Sequence, residues 1–166
     1  MSGPYPRSAT QTRKPVDDVT AARVRTSFGR QGFMHHLGAR LESIEVGRVS
    51  IALRAHSTLT QQHGYVHAGA TSAIADSAGG YAALTLLPAG SEVLTVEYSL
   101  NLLAPARGQE FQAVGAVIRA GRTLTVCCLD VWAVDATERT HIATGQQTLI
   151  RVEAPESDAH PTEGES

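Results

Sequence analysis

Cysteine is nearly missing from this 166-residue chain: there are two, Cys127 and Cys128, side by side. Neighbours on a strand point to opposite faces, so the pair cannot form an ordinary structural bridge. A disulfide framework and a cysteine-rich zinc site are both excluded. Charge is scarce too. Only 18% of residues are charged, and 14 Lys plus Arg against 16 Asp plus Glu leave a formal net charge of -2. That balance excludes a globally basic nucleic-acid binder and a polybasic membrane-surface protein. No apolar run approaches the roughly 20 residues of a membrane span. The first stretch, MSGPYPRSATQTRKPVDD, has no apolar segment of the kind a secretory signal needs. The expected compartment is a reducing cytoplasm, with no nucleic-acid and no membrane partner.

What is present is one domain's worth of foldable chain, 42% hydrophobic and long enough to bury a core without staples. Residues 1–17 carry little to bury and are expected to be a disordered leader. Residues 154–166 (APESDAHPTEGES) are expected to be a disordered acidic tail. The folded body is therefore placed at 18–153. A helix is predicted over 18–29, with Asp17 or Asp18 as cap and Val24 and Phe28 on one face. Phe33, Met34 and Leu37 follow, either as a lid over an apolar site or as a plug for the end of the core. Alternation around Gly47 predicts a hairpin turning at 45–48. Strands are predicted over 92–103, 109–119, 122–134 and 141–152, with a tight turn at Ala120-Gly121.

One segment differs in kind. The run 70–87 (ATSAIADSAGGYAALTLL) is alanine-rich and carries a single charge, Asp76. Its propensity is helical and it is apolar nearly all round, which predicts a central buried helix. Pro88 and Gly90 stop it. The order helix, two strands, long helix, four strands calls for an α+β fold in which an antiparallel sheet wraps one helix. Both parities of 122–134 are apolar, so its second face wants cover, from another subunit or from the first helix.

Chemistry points to Thr60–Gly80. A polar, glycine-containing loop runs into the buried helix there, and the first N–H groups of a helix have no partner within it. Those around Ala68, Gly69 and Ala70 are candidate donors to an oxyanion. Asp76 lies seven residues beyond Gly69, about two turns on. A carboxylate among alanines costs several kcal/mol unless it is hydrogen-bonded. No Lys or Arg within four residues can pair with it, so its partner comes from elsewhere. Two roles stay open: a general base or nucleophile in a cleft, or a structural carboxylate fixing a loop. His63 and His67 are four apart, but on a loop without a Glu-x-x-His partner, so no metal is expected. His67 reads as a histidine that bonds the backbone to orient the helix start. Neither a Gly-x-Ser-x-Gly elbow nor a phosphate loop occurs.

The segments HGYVHAGATSAIADSAGGYAA, VLTVEYSLNLLAPARGQEF and GRTLTV together resemble the hotdog-fold acyl-CoA thioesterases of the phenylacetate-degradation (PaaI-like) branch. The resemblance spans about 32–151. It implies a long central helix wrapped by a curved antiparallel sheet, and a homodimer with composite active sites that pairs again into a homotetramer. It implies that Asp76 is the catalytic carboxylate, activating water or attacking the thioester itself. Ala68 and Gly69 match the family's two glycines at the oxyanion site; Ala68 departs from glycine but keeps its N–H. Gln61, with Gln62 as the neighbouring choice, falls where relatives orient water or the carbonyl. Thr95 falls where some relatives place a hydroxyl near the attacking water.

The substrate so implied is an acyl-CoA. Its acyl group would be medium, long or aryl, with Phe33 and Met34 against it, and His67 and Gln62 near the thioester. Its phosphates would meet Arg119, Arg122 or Arg107. No cofactor is expected. Two alternatives share the fold: a noncatalytic acyl-CoA carrier or sensor, and an enoyl-CoA hydratase, which needs a differently placed Asp and His pair.

Overall fold

Asp17 starts the first helix. Its carboxylate accepts the Thr20 N–H at 2.8 Å, and α1 (Asp18–Gly29) follows. The computed structural model describes residues 14–154. Of the leader and tail expected at 1–17 and 154–166, residues 1–13 and 155–166 lie outside the described residues. The body reaches past the expected limits at both ends: the Val46 N–H bonds the Lys14 carbonyl at 2.9 Å, and the Ala154 N–H bonds that of Gly90 at 2.9 Å.

A short helix, α2 (Gly32–Leu37), leads into a hairpin of β1 (Ala39–Glu45) and β2 (Arg48–Arg54). Gly47 makes that turn at φ 69°, in the left-handed region that suits glycine. A single 3-10 turn (Ser57–Leu59) precedes the central helix α3 (Ala68–Leu84). Then come β3 (Ser91–Leu102), β4 (Glu110–Ala120), β5 (Leu124–Val134) and β6 (Arg139–Glu153). All pairings are antiparallel, in one six-stranded sheet ordered β1-β2-β4-β5-β6-β3.

The α+β architecture expected from the element order is the one observed. Alanine explains how the sheet closes on the helix. Ile74, Ala75, Ala78 and Ala82 are fully buried against Val49, Ile51, Leu53, Phe111, Leu129 and Val131. Small side chains on α3 let β4 pass at backbone contact: a Cβ at Gly115 would fall 2.3 Å from the Gly79 nitrogen.

The first helix packs against α3, not over the outer face of β5. The Phe28 and Tyr81 rings meet edge to face at 5.9 Å. Arg23 donates to the last carbonyl of α3, Leu84, and to those of Leu87 and Pro88 in the turn beyond it, at 2.5–2.8 Å. On the outer sheet face, His141 stacks on Trp132 at 4.2 Å and Arg139 lies over the same ring. Toward the other end of that face Leu94 and Leu124, both exposed, are register partners of Ile150.

Position in the sheet makes β3 unusual. It is an edge strand of 12 residues, bonded to β6 alone among the named strands. Leu94, Val96 and Tyr98 on it are 59%, 55% and 45% exposed. A long, apolar, unpaired edge is a template for another strand.

Candidate active site

His67 sets the start of α3. It is the N-cap, extended at φ -64° and ψ 138°, and its Nδ1 accepts the Gly69 N–H at 2.8 Å. The Ala70 N–H bonds the His67 carbonyl at 3.0 Å. Of the three N–H groups expected to polarise a carbonyl, those of Gly69 and Ala70 are thus taken up by the cap. This corrects the reading of Gly69 as a donor. The Ala68 N–H, at the first helical position, has no partner among the described residues. The backbone-orienting role expected for His67 is what its ring does.

A cleft of about 350 Å³ opens at this helix start, lined by Gln61, Gln62, His67, Ala68, Thr71 and Leu102 among others. Gln61 closes the loop that shapes it: its Oε1 accepts the His63 N–H, and its N–H bonds the Tyr65 carbonyl at 2.8 Å. The Gln61 amide nitrogen is the end left to donate. Gln62 bonds the adjacent His63 ring at 3.4 Å. A second hollow of about 500 Å³ shares Tyr65, Val66 and Ala106 with the cleft. Arg107 lines it, its guanidinium 4.7 Å from the Tyr65 ring centre and 2.6 Å from the Tyr65 hydroxyl.

Asp76 stands apart from that cleft. Eight residues at 1.5 Å each put it about 12 Å along α3 from Ala68. It is half-buried. Its partners come from distant strands, as the absence of a nearby cation required. Thr95 on β3 donates its hydroxyl to Asp76 Oδ1 at 2.8 Å. Gln147 on β6 donates to the same oxygen at 2.7 Å. Thr95 and Asp76, read separately from the sequence, are therefore one unit.

Gln147 was missed by sequence reasoning. The signal was present: a long polar residue at an inward position of β6, two before the buried Leu149. Only the pairing of β6 with β3 reveals what it faces.

Other expected contacts fall elsewhere. Met34 is 2% exposed and belongs to the core, so it is no lid residue: the last turn of α2 turns it inward with Leu37. Phe33, one position earlier, is 57% exposed. Neither lines the cleft. Arg119 and Arg122 are exposed around the β4–β5 hairpin and line neither hollow. Burial pushes the Cys127 thiol up to about 12 and raises that of Cys128. Neither can act as a thiolate near neutral pH. Among the described residues no helix is long and apolar enough to cross a membrane.

A long helix wrapped by an antiparallel sheet is the hotdog fold, and here a carboxylate is held midway down that helix. Comparison with known proteins agrees. The sequence model of the thioesterase superfamily matches residues 63–139. A Halobacterium salinarum protein named as a candidate esterase is 30% identical over 137 residues, covering 78% of this chain and 90% of its own. The crystal structure of a thioesterase family protein from Silicibacter pomeroyi is 43% identical with a TM-score of 0.79, covering 81% of this chain and 99% of that one. The E. coli PaaI protein from the phenylacetic acid degradation operon shares the fold, with a TM-score of 0.73 at 15% identity over 81% of this chain and 94% of its own. The chain belongs to the thioesterase superfamily, and the chemistry of that family is hydrolysis of thioesters.

Proposed function

We propose that this protein is a cytoplasmic acyl-CoA thioesterase whose active site forms between two copies, with Asp76 of one facing the Ala68 N–H of the other. The observation that carries this is the state of Asp76. One carboxylate oxygen is held by Thr95 and Gln147, and the carboxylate sits about 12 Å down the helix from its own chain's free N–H. A base and an oxyanion donor must both lie about 3 Å from the reacting carbonyl. One chain cannot satisfy that; two can. The exposed β3 edge, which carries Thr95, supplies the contact by extending the sheet into a second copy's β3. The apolar end of the outer face, Leu94 with Leu124 and Ile150, pairs two such dimers into a homotetramer.

The chemistry follows. Asp76 takes a proton from water as the water oxygen bonds to the thioester carbon. The carbonyl oxygen becomes an oxyanion on the partner's Ala68 N–H. Collapse breaks the carbon–sulfur bond, and the proton held by Asp76 goes to the departing sulfur. The products are a carboxylic acid and free CoA. Gln61, through its amide nitrogen, orients the carbonyl or the water. Arg107 offers its charge to a CoA phosphate. The acyl group, medium, long or aryl, lies along apolar wall such as Leu102 and Ile142, while Phe33 remains an exposed apolar group that a bound chain could cover.

The test is thiol release from short, medium, long and aromatic acyl-CoAs, with wild type and Asp76→Asn side by side. Loss of a general base costs about 10²–10⁴-fold. A drop of about 100-fold or more on a substrate the wild type turns over supports the assignment, and the panel names the acyl class. An Asp76→Asn variant that keeps full rate sinks it. Tight binding with no turnover by either protein would point to a carrier.

A further inference from the structure

We propose that Gln147 is a positioning residue for this reaction: it locks Asp76 so that Oδ2 alone meets the reacting atoms. The inference rests on the reading of Asp76 as the base. Gln147 is fully buried. Its Nε2 lies 2.7 Å from Asp76 Oδ1, 3.1 Å from the Asp76 carbonyl oxygen and 2.9 Å from Thr95 Oγ1. Both Asp76 atoms can only accept, so the nitrogen must be the end that faces them. Thr95 donates its own proton to Asp76 Oδ1 at 2.8 Å, which leaves its oxygen free to accept from Gln147. The result is a closed triangle with Oδ1 receiving two donors; it takes up both Nε2 protons, so the 3.1 Å approach to the Asp76 carbonyl shares one of them. Oδ2 receives none from the described residues.

The fold bears a cost to house this amide. Gln147 Oε1 is buried without a partner. It occupies the space where a Cβ at Gly79 would sit, 1.9 Å away, so α3 carries a glycine at that turn. Retaining an unsatisfied amide and a helix-weakening glycine, one turn from Asp76, is the pattern of a residue kept for function over stability.

Thiol release by Gln147→Leu, Gln147→Glu, Asp76→Asn and the double variant Asp76→Asn/Gln147→Leu tests this, using the best acyl-CoA of the panel, with thermal denaturation to confirm folding. Gln147→Leu should lower kcat about 10–100-fold, the scale of a misplaced reacting group, with KM within about 2-fold. In the Asp76→Asn background the same change should add nothing, because the group it positions is gone. Gln147→Glu puts a second carboxyl against Asp76; the pair shares one proton, so the base is partly neutralised, activity should fall, and the pH profile should depart from that of wild type. Wild-type kcat in Gln147→Leu, with Asp76→Asn still impaired, overturns the positioning role and leaves the base intact. An equal loss from Gln147→Leu in both backgrounds also overturns it. Full activity in Asp76→Asn removes the base reading instead. Should the leucine variant not fold, a Gln147→Glu pH profile parallel to wild type overturns the proposal.

Discussion

Adjacent glycines in α3 should respond in opposite directions to the same substitution. Gly79→Ala and Gly80→Ala each gain about 1 kcal/mol of helix propensity. At Gly80 the new methyl meets only Leu149 Cδ2 at 3.8 Å and Val93 Cγ2 at 3.9 Å, which is ordinary contact. That gain should be kept. At Gly79 it falls 1.9 Å from Gln147 Oε1 and 2.8 Å from Leu129 Cδ2. Overpacking costs about 1–3 kcal/mol. Swinging Gln147 aside strands its buried N–H donors for about 1–3 kcal/mol more. The balance is a loss of about 1–5 kcal/mol. At roughly 2–4 °C per kcal/mol for a chain of this length, thermal denaturation followed by circular dichroism should show Gly80→Ala up by about 2–4 °C and Gly79→Ala down by about 2–20 °C. Gly79→Ala should also lose thiol release, because Gln147 no longer holds Asp76, while Gly80→Ala keeps it. Equal shifts of the same sign in both variants would refute the packing described around Gln147.

Four further outcomes follow from the structure. Ala68→Pro removes one N–H at the first helical position, where proline fits and where the extended His67 already suits a following proline; kcat should fall about 10²–10³-fold with the melting temperature little changed, and an unchanged kcat excludes this N–H as the oxyanion donor. Val96→Lys puts a charge on the β3 edge and should shift the protein to monomer in light scattering, with activity lost in step. Arg107→Ala should raise KM for acyl-CoA about 10-fold while sparing kcat, the mark of lost ground-state binding; a CoA-free thioester should not feel it. With the pKa of Cys127 at about 12 and that of Cys128 raised in the same direction, both remain thiols at pH 8. A thiol reagent should label the buried Cys127 only after denaturation and the half-buried Cys128 more slowly in the folded protein than after denaturation, and rapid native labelling of Cys127 would contradict its burial.

Most of the architecture was readable because its cues are local. Asp17 as cap, Gly47 and Ala120-Gly121 as turns, and an alanine-rich run with one charge mark α1, the β1–β2 and β4–β5 hairpins and α3 without tertiary information. Asp76 stood out because an apolar helix makes a carboxylate expensive. What stayed hidden depends on approach between distant segments. Gln147 lies 71 residues from Asp76 and meets it only because β6 pairs with β3 beside the helix. Met34 and Phe33 are neighbours in sequence, yet six residues of α2 turn one inward and the other out. The Gly69 N–H looked free from the loop-to-helix pattern, but the side chain two residues before it returns to claim it. Among the described residues no helix covers the second face of β5, because Arg23 and Phe28 anchor α1 to α3.

Mixed dimers test the central claim most directly. Asp76→Asn and Ala68→Pro chains, each nearly inactive alone, are unfolded together in equal amounts, refolded, and assayed for thiol release. In a two-fold dimer with composite sites, half the dimers are mixed and each has one site free of both lesions, so about a quarter of wild-type activity should return. If mixed dimers form and no activity returns, the base and the oxyanion donor do not come from opposite chains, and the account of this site is wrong.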